Sequence, residues 1–118
     1  MNGDQILDAL DVAVYAKDRE GRYTYVNRYV RDLFRLPAAE ILGKDDSHFF
    51  DLEQSNALKI NDAEVMATGK AVEREERDVV KATGEERIYW TVKSPIRDAA
   101  GNVIGLTGMS VDITPSRR

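Results

Sequence analysis

Apolar and polar residues alternate near the amino terminus and again over the last third of the chain, and they follow a helical spacing in between. A short helix is predicted over "DQILDALD". The alternation in "VAVYAKD" then places Val12, Val14 and Ala16 on one face of a strand and Ala13, Tyr15 and Lys17 on the other. A turn containing Gly21 follows, and "YTYVN" resumes the alternation. Two short strands joined in this way predict a β-hairpin.

The middle of the chain predicts two short helices and one long helix. The short helices cover "RYVRDLF" and "AAEIL", and the second ends before Gly43. Asp51 provides a start signal for the long helix, which runs over about residues 52–68 until Gly69 ends it. One side of this helix is apolar with a polar position inside it, and it is formed by Leu58, Asn61 or Asp62, Val65 and Met66.

Three strand-like runs follow the long helix. They are "AVEREERDVVK", "EERIYWTVKSPIRD" and "NVIGLTGMSVDIT", separated by turn residues in "ATGE" and "DAAGN". Hairpin-length connections imply antiparallel pairing, so the helices must cover one face of the sheet. We interpret the charged run "EREERDVVK" as a solvated strand face, with a partner-binding surface as the alternative.

Composition excludes several classes of function. The 17 basic and 21 acidic residues give a net charge of −4, and their interspersed signs argue against nucleic-acid binding. The chain has no cysteine, which excludes disulfides, thiolate nucleophiles and cysteine-linked cofactors. Because no apolar run approaches the ~20 residues that span a bilayer, we expect no direct membrane insertion.

The only histidine, His48, lies in the polar segment "DDSHFFD" beside Ser47. A hydrolase site would need a base facing the serine and an oxyanion hole, and adjacency in a loop demonstrates neither. A metal site would need several converging ligands. We therefore expect Asp45, Asp46 and Asp51 to be solvated or to cap helices, and we expect neither catalysis nor a metal.

Four segments, in order, resemble the PAS domain, the sensory module of bacterial histidine kinases, diguanylate cyclases and other signalling proteins. "YAKDREGRYTYVN" is similar to the family's first hairpin, with Asp18, Gly21 and Asn27 in the expected places. "ILGKDDSHFF" resembles the glycine-led connector, and "NDAEVMATGKAV" matches the end of the long helix. "KSPIRDAAGNVIGLTGMSVDIT" resembles the last two strands, which close on Asp-Ile-Thr. The resemblance covers about residues 5–114.

The resemblance implies an α+β PAS fold: a five-stranded antiparallel sheet, strand order 2-1-5-4-3, with helices on one face. Residues 1–118 are then a single domain, in which 115–118 start the connector to an effector domain. We expect no enzyme activity in the domain itself, although the parent is expected to be a histidine kinase of a two-component system or a diguanylate cyclase. We also expect a homodimer and a cytoplasmic location.

In the family, the Asp-Ile-Thr end of the last strand lies just before the helix that leads to the effector. This assigns signal transfer to Asp112 and Thr114. Physically, Asp112 can accept backbone hydrogen bonds or pair with a basic residue, and the Thr114 hydroxyl can cap an exit helix that has Pro115 at its first position. The alternative is a strand that simply ends in a polar capping turn.

The resemblance also restricts the cofactors, whose identity stays unknown. The lack of cysteine excludes a covalent flavin adduct, and haem is disfavoured because the family's proximal histidine lies on the long helix, where residues 52–68 contain none. A non-covalent flavin or a metabolite stays open. Tyr25, Tyr89 and Trp90 could stack on a flavin ring, or they could be ordinary core residues.

A pocket between the helices and the sheet is the candidate ligand site. Its candidate lining is Phe34, Phe49, Phe50, Leu58, Asn61, Val65, Met66, Trp90, Val92, Ser94, Leu106 and Met109. With a ligand there, the domain is a sensor that relays the signal through its last strand to a C-terminal effector. The alternative is a ligand-free dimerisation module whose interface includes Ile6, Leu7 and Leu10.

Overall fold

The computed structural model of the protein describes residues 1–114. In chain order its elements are α1 (Gly3–Ala9), β1 (Ala13–Asp18), β2 (Tyr23–Val26), α2 (Arg28–Phe34), α3 (Leu52–Thr68), β3 (Val72–Val79), β4 (Glu86–Arg97) and β5 (Val103–Asp112). Two single 3₁₀ turns, Ala38–Glu40 and Asp46–His48, lie between α2 and α3. Within this part of the chain, no helix is long and apolar enough to cross a bilayer.

The strands form one antiparallel sheet in the order β2-β1-β5-β4-β3, which confirms the predicted fold. β1 and β5 are neighbours in the sheet although about 85 residues separate them along the chain, and Tyr15 lies opposite Gly108. A side chain at position 108 would overlap the Tyr15 ring. Glycine therefore lets this ring lie directly against β5.

Local signals fix the ends of α3 where the sequence predicts them. The Asp51 carboxylate accepts the backbone N–H of Gln54 at 2.9 Å and caps the first turn. Gly69 ends the helix in the left-handed conformation at φ 66°, which glycine adopts without strain. The short segment over "AAEIL" forms a 3₁₀ turn rather than an α-helix.

The core lies between one face of the sheet and the helices. Its centre is a group of aromatic rings in which Phe34 and Phe49 stack at 4.4 Å between centroids, with Tyr23 and Phe50 edge-on to them. Ala13, Tyr15 and Lys17 share one face of β1, as their alternation predicts, and this face points toward the core.

The inner face of β4 differs from the prediction by one residue. Tyr89, Thr91 and Lys93 are buried, and the intervening positions turn to the outer face of the sheet. The outer set comprises Trp90, Val92 and Ser94, together with Met109, which pairs with Val92. Trp90 and Met109 are each 43% exposed. The prediction that Trp90 and Val92 face inward was wrong because Lys93, on the other face of β4, is buried with carboxylate partners.

Candidate ligand cavity and strand junction

A cavity of about 30 Å³ lies between the sheet and the helices. Aromatic side chains form much of its wall, namely Tyr15, Tyr23, Phe34, Phe50 and Tyr89. Three of the predicted lining residues, Phe34, Phe50 and Leu58, contact this cavity. In its present shape it has room for one or two water-sized groups.

The other predicted lining residues lie elsewhere. Phe49, Val65 and Leu106 are fully packed in the core, and Met66 packs against them. Asn61 lines a groove between α3 and β3 instead. The outer positions of β4 and β5 that were assigned to the pocket, Trp90, Val92, Ser94 and Met109, lie on the opposite side of the sheet. The prediction that these four residues line a pocket between the sheet and the helices was therefore wrong.

Two buried lysines and three buried carboxylates form a charge cluster beside the cavity: Lys17, Asp46, Asp62, Glu76 and Lys93. The Lys17 ammonium donates to Asp46 at 2.5 Å and to Asp62 at 2.8 Å. The Lys93 ammonium reaches Asp62 at 2.9 Å and Glu76 at 3.0 Å. Each lysine is thus shared by two carboxylates, and Asp62 joins the two lysines.

Additional donors complete the charge cluster. The Tyr23 hydroxyl donates to Asp46 at 2.5 Å, and the Asn61 amide donates to Glu76 at 3.0 Å. Burial opposes ionisation of Asp62, but Lys17 and Lys93 hold its pKa below the ordinary value. Buried ions are tolerated when they are paired and hydrogen-bonded in this way.

The folding pattern explains how these charges meet. Lys17 and Lys93 lie on inward positions of β1 and β4, while Asp62 follows Leu58 by one turn on the inner side of α3. The sequence contained two signals of the cluster: Lys17 shares a face with Ala13 and Tyr15, and a polar residue interrupts the apolar side of α3.

In the polar segment before α3, Ser47 and His48 both lie beside Asp45. Ser47 donates its hydroxyl to Asp45 at 2.5 Å, and the ring of exposed His48 lies 3.5 Å from the same carboxylate oxygen. The hydrogen bonds from Ser47 lower the pKa of Asp45 to about 2. Asp45 and Asp51 cap the following turns as expected, whereas the expectation for Asp46 was wrong because that residue is buried in the charge cluster. In residues 1–114 no group of metal-ligating side chains converges.

Asp78, on β3, is a further buried carboxyl at the cavity. Only 8% of its surface is exposed, and within residues 1–114 no donor contacts its carboxyl group. Burial, followed by the charge of Glu76, raises the pKa of Asp78 to about 7. The interpretation of "EREERDVVK" as a solvated strand face holds for Glu73, Arg74, Glu75 and Arg77, and it is wrong for Glu76 and Asp78, which are buried.

The end of β5 is fastened to β4 by side chains. Asp112 accepts the Thr114 backbone N–H at 2.8 Å and the Arg87 guanidinium at 2.6 Å. Partial burial opposes ionisation of Asp112, but the donors from Thr114 and Arg87 hold its pKa below the ordinary value. We call the contacts of Arg87, Ile88, Asp112 and Thr114 the strand junction.

Thr114 makes a contact with β4 that the sequence does not indicate. Its hydroxyl accepts the Ile88 backbone N–H at 2.9 Å, so it binds β4. The carbonyl of the same Ile88 accepts the Ile113 N–H at 2.8 Å. The predicted helix cap at Pro115 lies outside the described residues.

Comparison with known proteins identifies relatives of the whole domain. The family model for the PAS fold matches residues 7–118. A diguanylate cyclase of Vibrio cholerae is 42% identical over 110 residues, covering 92% of this chain and 34% of that protein. The methanogenesis regulatory histidine kinase FilI of Methanothrix harundinacea is 34% identical over 109 residues, covering 92% of this chain and 12% of that protein.

Among solved structures, VqmA bound to DPO superimposes with a TM-score of 0.81 at 21% identity, covering 92% of this chain and 55% of that one. This chain therefore spans only part of the length of these relatives, and in the cyclase and the kinase the matching region belongs to a longer signalling protein. Since the family model matches almost the whole sequence, the chain belongs to the PAS fold family and is a sensory domain of signalling proteins.

Proposed function

We propose that this domain binds a small molecule in the cavity between its sheet and helices and relays the binding through β5 to a C-terminal effector domain. One observation carries the proposal: the cavity touches the same strand segments that form the strand junction. Tyr89 and Ser110 line the cavity. Tyr89 lies directly opposite Asp112 in the sheet and next to Ile88 in the chain.

The relay follows from these contacts. A molecule that pushes on Tyr89 changes the position of β4 relative to β5, and the hydrogen bonds between Ile88 and Thr114 transmit this displacement to the end of β5. The Tyr89 hydroxyl also lies 3.3 Å from the Tyr29 hydroxyl on α2. A displacement of Tyr89 therefore reaches the helical layer as well. The ligand shifts the equilibrium only by the difference between its affinities for two conformations.

The shape of the cavity favours a small metabolite over a flavin. Of the three aromatic residues considered for flavin stacking, only Tyr89 lines the cavity. Trp90 lies on the outer face of the sheet, and Tyr25 does not contact the cavity. An isoalloxazine ring is far larger than a space of about 30 Å³. VqmA, which shares the fold, is bound to DPO in its solved structure, which supports a search for ligands other than flavin here.

The relay is tested by Asp112→Ala in a signalling protein that carries this domain ahead of its effector. The substitution removes the acceptor for Thr114 and for Arg87, which keeps Glu85 as a partner at 2.9 Å. We expect the folded state to lose only about 1 kcal/mol, since the ion pair is partly exposed. The effector output is expected to stop responding to the ligand.

Asp11→Ala is the matched control, because Asp11 is an exposed carboxyl close to the junction. Its response is expected to equal that of the wild type. An Asp112→Ala protein that responds normally would discard the relay, whatever binds in the cavity.

A second candidate function, a ligand-free dimerisation module, is favoured by the outer face of the sheet. Trp90, Met109 and Val111 form an exposed apolar surface there, and Ile6 and Leu10 on and after α1 are exposed as well. Light scattering at several concentrations tests it. This function predicts a dimer that Trp90→Lys dissociates, and a monomeric wild type at high concentration would reject it.

A further inference from the structure

Among residues 1–114 no group donates a hydrogen bond to the carboxyl of Asp78, a residue that is only 8% exposed. It lies two residues after Glu76 on the inner side of β3 and faces the cavity. A buried carboxyl that lacks hydrogen-bond donors is costly and is normally paired. Among residues 1–114 its neighbours offer no such pair, since Lys93 is already bound by Asp62 and Glu76.

The charges around the cavity do not balance. The charge cluster contains two lysines and three carboxylates, which leaves one negative charge before Asp78 is counted. Ionised Asp78 would make the excess two. A cation entering the cavity would therefore gain a favourable interaction with Asp78 and relieve its repulsion by Glu76.

An acidic groove adjoins this cavity. The groove lies between α3 and β3 and has a volume of about 460 Å³. Its wall carries one guanidinium, that of Arg77, and six carboxyl groups, those of Asp51, Glu53, Glu75, Glu76, Asp78 and Glu86. Leu58, Glu76 and Asp78 line both the groove and the cavity, so these three residues separate the two spaces.

The two volumes define the shape of the occupant. The inner space of about 30 Å³ admits a group the size of an ammonium and little more, whereas the outer groove admits an extended chain. The aromatic wall suits such a head group, because a cation near a tyrosine or phenylalanine ring gains from the ring quadrupole. The Lys17 ammonium already lies 5.1 Å from the centroid of Tyr23 in this environment.

From this geometry we infer that the domain binds a linear aliphatic diamine, with one ammonium held by Asp78 in the cavity and the second held by carboxylates of the groove. This inference rests on the proposed function and specifies its ligand class. The two ammonium groups then lie on either side of Leu58, Glu76 and Asp78, the residues that line both spaces. The bound amine then lies beside Tyr89, where the relay begins.

Titration calorimetry of the 118-residue chain with putrescine and with cadaverine, at neutral pH and fixed ionic strength, tests the inference. Saturable binding of at least one diamine is expected, with butylamine at least 10-fold weaker and 1,4-butanediol not binding. Asp78→Asn is expected to weaken diamine binding at least 10-fold. The matched control is Glu73→Gln, which changes an exposed carboxyl on the same strand outside the groove and is expected to bind as the wild type does.

Proton release supplies a second readout that does not depend on a variant. At pH 6 the Asp78 carboxyl is largely protonated, because its pKa is about 7, so binding of an ammonium there must displace close to one proton. Calorimetry in two buffers with different ionisation enthalpies measures this proton. Binding without proton release, or equal losses of affinity in Asp78→Asn and Glu73→Gln, would overturn the inference.

The outcomes also separate this inference from the proposed function. If neither diamine binds but the purified protein retains another molecule in native mass spectrometry, the diamine inference fails and the sensor function stands. If neither diamine binds and no molecule is retained, both fail.

Discussion

Replacing Asp78 by asparagine is expected to stabilise the protein at neutral pH and to leave its stability in acid nearly unchanged. Asparagine keeps the size and polarity of the side chain but removes the charge that burial and Glu76 disfavour. Lys93, Asp46 and Lys17 are the other charged groups that influence Asp78, and all of them remain in the variant.

The size of the stabilisation expected from Asp78→Asn follows from the pKa of Asp78. This pKa is about 7 in the folded protein, against an ordinary value of 3.8. Because the folded state holds this proton more tightly, the wild type loses stability as the pH rises from about 4 to about 7. The difference between these two pKa values lowers the free energy of unfolding of the wild type by about 4 kcal/mol near pH 7, and the loss stays constant above that pH.

Urea unfolding of both proteins at pH 5, 6, 7 and 8 measures this effect. The difference in the free energy of unfolding, variant minus wild type, is expected to grow by about 1.4 kcal/mol per pH unit up to pH 7 and then to level off. Contributions from carboxyls that do not interact with Asp78 cancel in the difference. Asp11→Asn is expected to show the same pH dependence as the wild type. A difference that is the same at pH 5 and pH 8 would refute the reasoning.

Two further substitutions test the interior of the protein. Lys93→Met leaves two buried carboxylates short of a partner and is expected to lower the free energy of unfolding by about 3–5 kcal/mol, whereas exposed Lys44→Met has little effect in the same urea titration. Asn27→Ala is expected to cost about 3 kcal/mol, because this fully buried amide binds four backbone groups that join α1, β1 and α2. Exposed Asn56→Ala is its control, and equal losses in the two asparagine variants would contradict this role.

Features set by neighbouring residues were predictable from the sequence. The ends of α3 follow from a capping carboxylate at Asp51 and a left-handed glycine at Gly69, and both act within a few residues of the helix end. The hairpin of β1 and β2 follows from alternation around a turn. The order of the strands came from the resemblance to a family, because pairing of β1 with β5 depends on residues far apart in the chain.

The charge cluster and the inner face of β4 were not predictable in the same way. Alternation shows that Trp90 and Lys93 lie on opposite faces, but it does not show which face is buried. The usual preference for apolar residues inside gave the wrong face, since Lys93 finds its partners on α3 and β3. Phe34, Phe50 and Leu58, which the sequence indicated as apolar positions of the helices and connector, line the cavity.

Native mass spectrometry of the freshly purified chain, compared with the same sample after denaturation, tests the central claim that this domain binds a small molecule. We expect an additional non-covalent mass on the folded protein that disappears on denaturation. We also expect that addition of putrescine or cadaverine produces such a mass in protein from which the retained molecule has been removed. A bare chain or bare dimer in every condition would contradict the sensor function and favour the dimerisation module.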